Sequence, residues 1–521
     1  MRKCVSIFLM LMIFSSGSLA LERFVKMDWL ESDSFVASLI QYPELVDQIY
    51  AENDFQLIWF DTKHNSYLES QLEIIEHAGF SSLFSRQLAH MRKLRENSQW
   101  FEYDLLATDT MLLYMSYAER AASSDQGKEW FFQHSLSGKL PTPSRDAVLS
   151  FFVAIEVHQL DQLVNAYTPS SQGYKQLVSS FWYLKQYEQI ELPLYRISKL
   201  VKSGDTLDNR DLLIQRLQLA NLDASTVRTD VSWYDDTLVK LVKEFQSLHG
   251  LKPDGVIGPA TLSWLNLPLN DRLAMLALNA ERSRMWPEQR DTIIMVNVPS
   301  FDMKYWYLGE EVFESKVVVG RTTRKTPVMT TKLDSLILNP TWNVPRKIMV
   351  EDILPQVVQD ASYLERQNFE IIKSWYSKPD NTVNPELIDW SAINPNTFPY
   401  KMRQQSGQGN ALGLYKFNTP NPRAIFLHDT PSKHLFGKET RAFSSGCVRV
   451  ENADQFASLL LETQGIDAME HQSEEMSSNH AIPLKRRIPV HIIYQTVWYE
   501  AGKVHYRDDV YRYDTFSYTK G

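Results

Sequence analysis

The apolar residues of this chain change their period near residue 290, and that change divides the molecule. Before it, stretches such as SLFSRQLAHMRKLREN and AVLSFFVAIEVHQLDQLVNAY space apolar residues three and four apart, the period of an amphipathic helix. After it, TIIMVNVPSF, MKYWYLG, EVFESKVVVG and SLILNPTWNVP are β-rich runs separated by Gly, Asn and Pro. The chain therefore reads as a multidomain α+β protein, and 521 residues suggest about three domains of ~150 residues. Residues 21–204 read as a helical scaffold, with Trp59, Trp100, Trp130 and Trp182 as core anchors. Residues 205–270 read as a compact module of three short helices, Gly250 ending one and Pro259 opening another. Residues 271–290 read as a linking helix, 291–510 as a mainly β domain and 511–521 as a tail. Two strands around Ala501-Gly502 are expected to close that β domain. Within it, 346–406 interrupts the strands with a helical pattern and scattered aromatics, and reads as an ordered cap over the site.

Only two cysteines occur, Cys4 and Cys447. The first twenty residues have a basic start, an apolar run of about a dozen and the small-x-small ending SLA, the pattern of a secretory leader cleaved after Ala20. An uncleaved membrane anchor is the alternative. Cleavage removes Cys4 and leaves Cys447 alone in RAFSSGCVRV, among serines, a glycine and an arginine rather than in an apolar run. A lone thiol in such a setting reads as a reactive group. His428, at the end of the apolar strand in RAIFLHDTPSKH, is the candidate base.

Other chemistries are excluded. A net charge of −9, with no basic tract, argues against nucleic acid as a partner. GQGNALG (407–413) lacks the strand-to-helix context and Gly-Lys-Ser/Thr of a phosphate loop. No HExxH and no second mature cysteine build a zinc site, so neither metal nor cofactor is expected.

Two resemblances add to this. YDDTLVKLVKEFQSLHGLKPDGVIGPATLSWLN, with Phe245-Gln246, His249-Gly250-Leu251, Asp254-Gly255 and Ile257-Gly258-Pro259, resembles the peptidoglycan-binding module of bacterial cell-wall enzymes. The stretch from Ile425 to Val450 resembles the signature of the L,D-transpeptidases, the YkuD-domain family: His428, then Ser444, Gly446, Cys447, Val448 and Arg449. Gly320, Thr326-Pro327, Asn339-Pro340-Thr341-Trp342, Val344-Pro345, Ala411-Leu412-Gly413 and Tyr415-Lys416-Phe417 fall where that family has its other landmarks. Ser445 departs from it, because most members carry a histidine there. The whole layout resembles the large YcbB-type enzymes of Gram-negative bacteria, a subgroup with Ser-Ser-Gly-Cys.

The resemblance implies a β-sandwich catalytic domain and a periplasmic enzyme that needs no cofactor. Its partners would be tetrapeptide stems as donor and acceptor, glycan strands held by residues 205–270, and other cell-wall synthesis enzymes. In the implied chemistry, Cys447 as thiolate, paired with protonated His428, attacks the stem, expels D-alanine and leaves a thioester. A second stem's amine then closes a 3→3 cross-link, and carbapenems are expected to acylate the same thiol. Backbone N–H groups of Gly446 and Cys447 would hold the oxyanion, each worth ~10²–10³ in rate. The carbonyl of Asp429 would orient His428. Arg449 would bind a stem carboxylate or form a structural bridge, and Tyr415 would hold donor or pack its strand. Ser444, Ser445 and Trp342 complete the substrate-binding candidates. Hydrolysis of the same bonds, or a non-catalytic wall-binding scaffold, are the competing functions.

Overall fold

The computed structural model describes residues 36–60, 62–376, 380–467 and 478–514. The leader expected at 1–20, with Cys4, lies outside them, as does most of the expected tail. The chain divides into two compact units.

The first unit contains the described residues up to Trp286, joined by Val497–Tyr506 and by 513–514. Its scaffold is built on the helix Trp100–Ala121, which is buried without a break from Tyr103 to Tyr117. Such a helix has no solvent face, and its buried polar groups must be bonded. Asp104 accepts the amides of Ile58 (2.8 Å) and Trp59 (2.6 Å), and Asp109 those of Gln41 (2.9 Å) and Tyr42 (2.8 Å). The stretch expected to link domains is instead a core element: Leu269–Arg282 packs against Thr62–Ala78 and Gln172–Lys185, and Leu273, Met275 and Leu276–Ala280 are buried. At its end Glu281 meets Arg284 at 2.6 Å and accepts from Tyr117 (2.5 Å) and Tyr174 (3.3 Å), all in the interior. Removing one partner of a buried ion pair leaves the other uncompensated. Glu281→Ala is expected to cost about 3–5 kcal/mol, read as a lowered denaturant midpoint of the unit's unfolding transition.

The three-helix module comprises Arg210–Gln218, Asp236–Leu248 and Pro259–Leu265. Its motif residues serve the fold. The Gln246 amide accepts from Gly255 N (2.8 Å) and donates to Val256 O (2.9 Å), fixing the Asp254-Gly255 turn, while His249 stacks on Phe245 at 4.0 Å.

The second unit, Pro287–Thr496 with Arg507–Arg512, holds the β structure. In chain order its strands are β1 (Ile293–Asn297), β2 (Asp302–Tyr307), β3 (Glu310–Gly320), β4 (Met329–Leu338), β5 (Trp342–Asn343), β6 (Phe369–Ile372), β7 (Thr382–Val383), β8 (Lys401–Gln404), β9 (Tyr415–Asn418), β10 (Leu427–His428), β11 (Ala442–Ser444), β12 (Val448–Val450) and β13 (His480–Ile493). Nine of them run in the order β11-β3-β12-β10-β9-β4-β13-β1-β2, and a β2–β3 pairing closes this sheet on itself. Inside, Phe456 of the helix Ala453–Thr463 meets Tyr305, Phe313 and Phe417, from three strands.

The last strand of this sheet is β13, which pairs parallel to β1 and antiparallel to β4. The following hairpin, β14 (Val497–Glu500) and β15 (Lys503–Tyr506), does not close the β domain as expected. It belongs to the helical unit, where Tyr506 stacks on His249 at 4.9 Å and lies under Arg272. The alternation that marks a strand does not say which core it joins.

The insertion forms its own sheet, β5-β8-β6-β7, over a core that includes Met349, Leu354, Val357, Ile371, Phe398 and Met402. Its helical run is α from Arg346 to Ile348, π from Met349 to Ile353 and α again from Leu354 to Gln359. Pro355 has no N–H to give the carbonyl four residues back, and the chain widens just before it.

Candidate active site

Strand alternation places the reactive groups. Leu427 on β10 pairs with Phe417 on β9 and Val448 on β12; His428 pairs with Lys416 and Arg449. Paired residues share a face, and successive residues alternate. Phe417, Leu427 and Val448 are buried on the core side. Lys416, His428 and Arg449 therefore form a row on the opposite face. Cys447 lies two residues before Arg449, beside Phe426, whose carbonyl accepts from Val448 N at 3.1 Å. The thiol thus joins the same face as the histidine.

The nucleophile's turn is held from within and from behind. Ser444 Oγ donates to Cys447 O (2.5 Å) and accepts from Gly446 N (3.1 Å). Gly446 sits at φ +123°, a left-handed conformation that excludes a side chain, whereas space alone would tolerate one, Ile425 Cδ1 being 3.4 Å from an added Cβ. Behind the turn runs the loop that follows β3. Arg321 N donates to Ser444 O (2.9 Å), Arg324 Nη1 to Ser445 Oγ (3.0 Å) and Thr326 Oγ1 to Gly446 O (2.8 Å). Gly320 lets that loop fold tightly, because a Cβ there would lie 2.1 Å from Arg324 O.

His428 Nδ1 lies 2.5 Å from the Asp429 carbonyl, which assigns the proton to Nδ1 and leaves Nε2 as the acceptor. Burial, then the charges of Arg449 and Lys416, push its pKa down to about 3 against the pull of the Asp429 and Leu412 carbonyls. Burial pushes the Cys447 thiol up to about 11, although the Phe426 amide and the Lys416 and Arg449 charges favour the thiolate. The thiol donates to Ala424 O at 3.7 Å. Both shifts oppose charge on these two groups, because the desolvated face penalises separated charge while the flanking cations relieve it only on the sulfur.

Several expected roles are corrected. Gly446 N–H is engaged by Ser444, whereas the Cys447 amide has no partner among the described residues, so of the two expected oxyanion donors only the second is uncommitted. Ser444 clasps the turn with both its donor and its acceptor, whereas the exposed Ser445 hydroxyl receives Arg324 and keeps its own O–H. Tyr415 is half-buried on β9, paired with Leu338 of β4 and on the same alternation as Phe417. Trp342 packs on the insertion's core, its ring centre 6.3 Å from that of Phe369. The Arg449 side chain forms no structural bridge: it has no hydrogen bond among the described residues, and its Nε is buried and unsatisfied. The Asp429 carboxylate accepts Leu414 N (2.9 Å) and Lys433 Nζ (2.5 Å), separate from the carbonyl that meets His428.

Two residues escaped the sequence reading. Lys416 carries its ammonium 4.4 Å from the Phe426 ring centre with no ion pair among the described residues, and Arg324 grips the turn from outside the motif. A lysine inside an otherwise apolar strand was the available signal for the first; nothing local marks the second. Among the described residues no group of three or more His, Cys, Asp or Glu is arranged to hold a metal ion, and no helix is long and apolar enough to cross a membrane.

Comparison with known proteins identifies the domains that hold these residues. Residues 291–468 match the YkuD family, "L,D-transpeptidase catalytic domain"; residues 44–180 match a "Scaffold domain", and 208–265 a "Putative peptidoglycan binding domain". A "Putative L,D-transpeptidase" of Haemophilus influenzae is 28% identical over 476 residues, 91% of this chain and 79% of that protein. An L,D-transpeptidase structure from Xylanimonas cellulosilytica is 13% identical, covering 57% of this chain and 100% of its own, with a TM-score of 0.17. The Ldtfm-avibactam carbamoyl enzyme is 12% identical, covering 62% and 99%, with a TM-score of 0.20; scores this low carry no argument. The thiol, its histidine and the loop that cradles them thus lie in a YkuD-family L,D-transpeptidase catalytic domain, which this chain carries together with a scaffold domain and a peptidoglycan-binding domain.

Proposed function

We propose that the protein forms 3→3 (diaminopimelate–diaminopimelate) cross-links between peptidoglycan stems in the periplasm, with Cys447 as nucleophile and His428 as proton acceptor and donor. The observation that carries this reading is the thiol on one sheet face with an imidazole and two cations, Lys416 and Arg449, that form no ion pair among the described residues. A tetrapeptide stem is rich in carboxylates, and these cations suit them.

Neutral His428 takes the thiol proton as sulfur attacks the carbonyl preceding the terminal D-alanine, so no free thiolate precedes the attack. The oxyanion faces the Cys447 amide. On collapse the C–N bond breaks, His428 Nε2–H protonates the departing D-alanine amine, and a thioester remains. An acceptor amine adds to the thioester carbonyl and gives its proton to His428. The thiol leaves with that proton, and an amide is formed.

A carboxylate bound by Lys416 and Arg449 also cancels the charges that depress His428, making it a stronger base when substrate is present. Lys416→Met and Arg449→Met are each expected to raise the donor KM about 10-fold, a loss of ~1.4 kcal/mol, in steady-state assays of D-alanine release. Intact-protein mass after a brief exposure to donor tests the covalent step. An acyl adduct on Cys447 supports it, and a protein that turns over donor without one refutes it.

Wall attachment falls to the helical unit in this reading. A cavity of about 310 Å³, near the lower bound for ligand pockets, is lined by Tyr183, Tyr187, Gln215 and Gln218, whose rings and amides suit a sugar, and by the aliphatic Ile190, Leu192 and Leu219.

A further inference from the structure

We infer that Arg324 is a positioning residue that ties the π-helical turn of the cap to the nucleophile's turn through Ser445. The inference rests on the transpeptidase reading and assigns a role to three groups outside its mechanism. Arg324 is nearly buried, with 6% of its side chain exposed. One arm, Nη1, bonds Asp352 and also reaches Ser445 Oγ at 3.0 Å. The other, Nη2, bonds Glu351 and meets Asp352 Oδ1 at 3.1 Å. Arg321 adds a second cation to Asp352 at 3.1 Å.

Both acids lie on the π-helical stretch Met349–Ile353. Neighbouring residues of an α-helix do not face one target, whereas here Glu351 and Asp352 converge on one guanidinium. Burial opposes the Asp352 carboxylate, but the bonds and charges of Arg324 and Arg321 overcome it and hold its pKa below the usual range. Asp352 thus carries its charge at neutral pH. The clamp closes on the residue that separates this chain from most of its family: a serine at 445 leaves room for the guanidinium, and its hydroxyl accepts the bond.

The consequence is geometric. Ser445 stands two residues before the nucleophile, and the flanking carbonyls of Ser444 and Gly446 are held by Arg321 and Thr326 of the same loop. With Arg324 in place, three consecutive residues of the turn are fixed, and the cap's position is written into the aim of Cys447. Without it the middle one is free, and misplacements of about 1 Å at a reacting atom cost ~10²-fold in rate.

A double-mutant cycle on the full chain tests this. Ser445→Ala, Arg324→Met and the pair Glu351→Gln/Asp352→Asn are each expected to lower kcat about 10- to 100-fold, with donor KM within about twofold. Combining Ser445→Ala with either of the others should add less than about twofold, because all act through one link. Arg324→Lys should recover little, since an ammonium cannot fork between two carboxylates and a hydroxyl. The same cycle is run on the rate of Cys447 alkylation by iodoacetamide, which needs no stem peptide. Losses that multiply, or variants that lower only the melting temperature, overturn the inference. If the wild-type protein neither releases D-alanine nor forms an adduct, the transpeptidase reading fails instead, and the alkylation cycle still decides whether the link exists.

Discussion

Cys447→Ser is expected to lower transpeptidation by ~10⁴- to 10⁶-fold, the scale on which loss of a nucleophile acting with its base is felt. The hydroxyl keeps the position and the hydrogen-bonding capacity of the thiol, so the loss isolates acidity and nucleophilicity. Its severity follows from the base. His428 is pushed down to about 3 by burial and two cations, and a base that weak can share a thiol proton during attack but not the far less acidic proton of an alcohol. The same electrostatics set the pH behaviour of the free enzyme. With Cys447 raised to about 11, the thiolate fraction, and with it the alkylation rate, should climb about tenfold per pH unit from 6 to 9 without a plateau. A plateau at neutral pH would show a preformed thiolate–imidazolium pair and contradict attack by the neutral thiol.

His428→Gln is expected to lower kcat by ~10²- to 10⁴-fold, the usual range for a positioned general acid–base, while donor KM stays nearly constant. Glutamine preserves a donor toward the Asp429 carbonyl but cannot relay a proton between Cys447 and the two amines. Both half-reactions need that relay, so acylation and release onto the acceptor should slow together in single-turnover experiments. Asp429→Ala is expected to cost less in turnover, because the group that meets His428 is the backbone carbonyl, which survives the change. Its carboxylate braces Leu414 and Lys433, so the variant should lose thermal stability more than chemistry.

How far the sequence was legible depends on the range over which each feature is encoded. The turn that carries Cys447 and the strand that ends at His428 are local patterns: glycine where φ is +123°, an apolar run, then a polar loop. Their meeting on one sheet face is fixed by a parallel β10–β12 pairing, and the family resemblance supplied it where spacing did not. Arg324 lies 121 residues from Ser445, and its link to the cap exists only once the β3 loop folds behind the turn. Lys416 is legible only as part of the Tyr415-Lys416-Phe417 landmark until register sets it beside His428. The hairpin at Val497–Tyr506 was recognisable as strands, yet its partner core was not, because Tyr506 and Val504 would suit either interior. Likewise Leu269–Arg282 has the pattern of a connecting helix until Glu281 and Arg284 are found buried among tyrosines.

The measurement that bears most directly on the central claim is mass analysis of products after incubation with disaccharide-tetrapeptide. A cysteine transpeptidase of this design should yield dimers that have lost one terminal D-alanine and are joined through the third-residue side chain. They should be absent with the Cys447→Ser protein. Tripeptide monomers alone, with no dimer at any acceptor concentration, would show that water is the acceptor and contradict the assignment as a cross-linking enzyme.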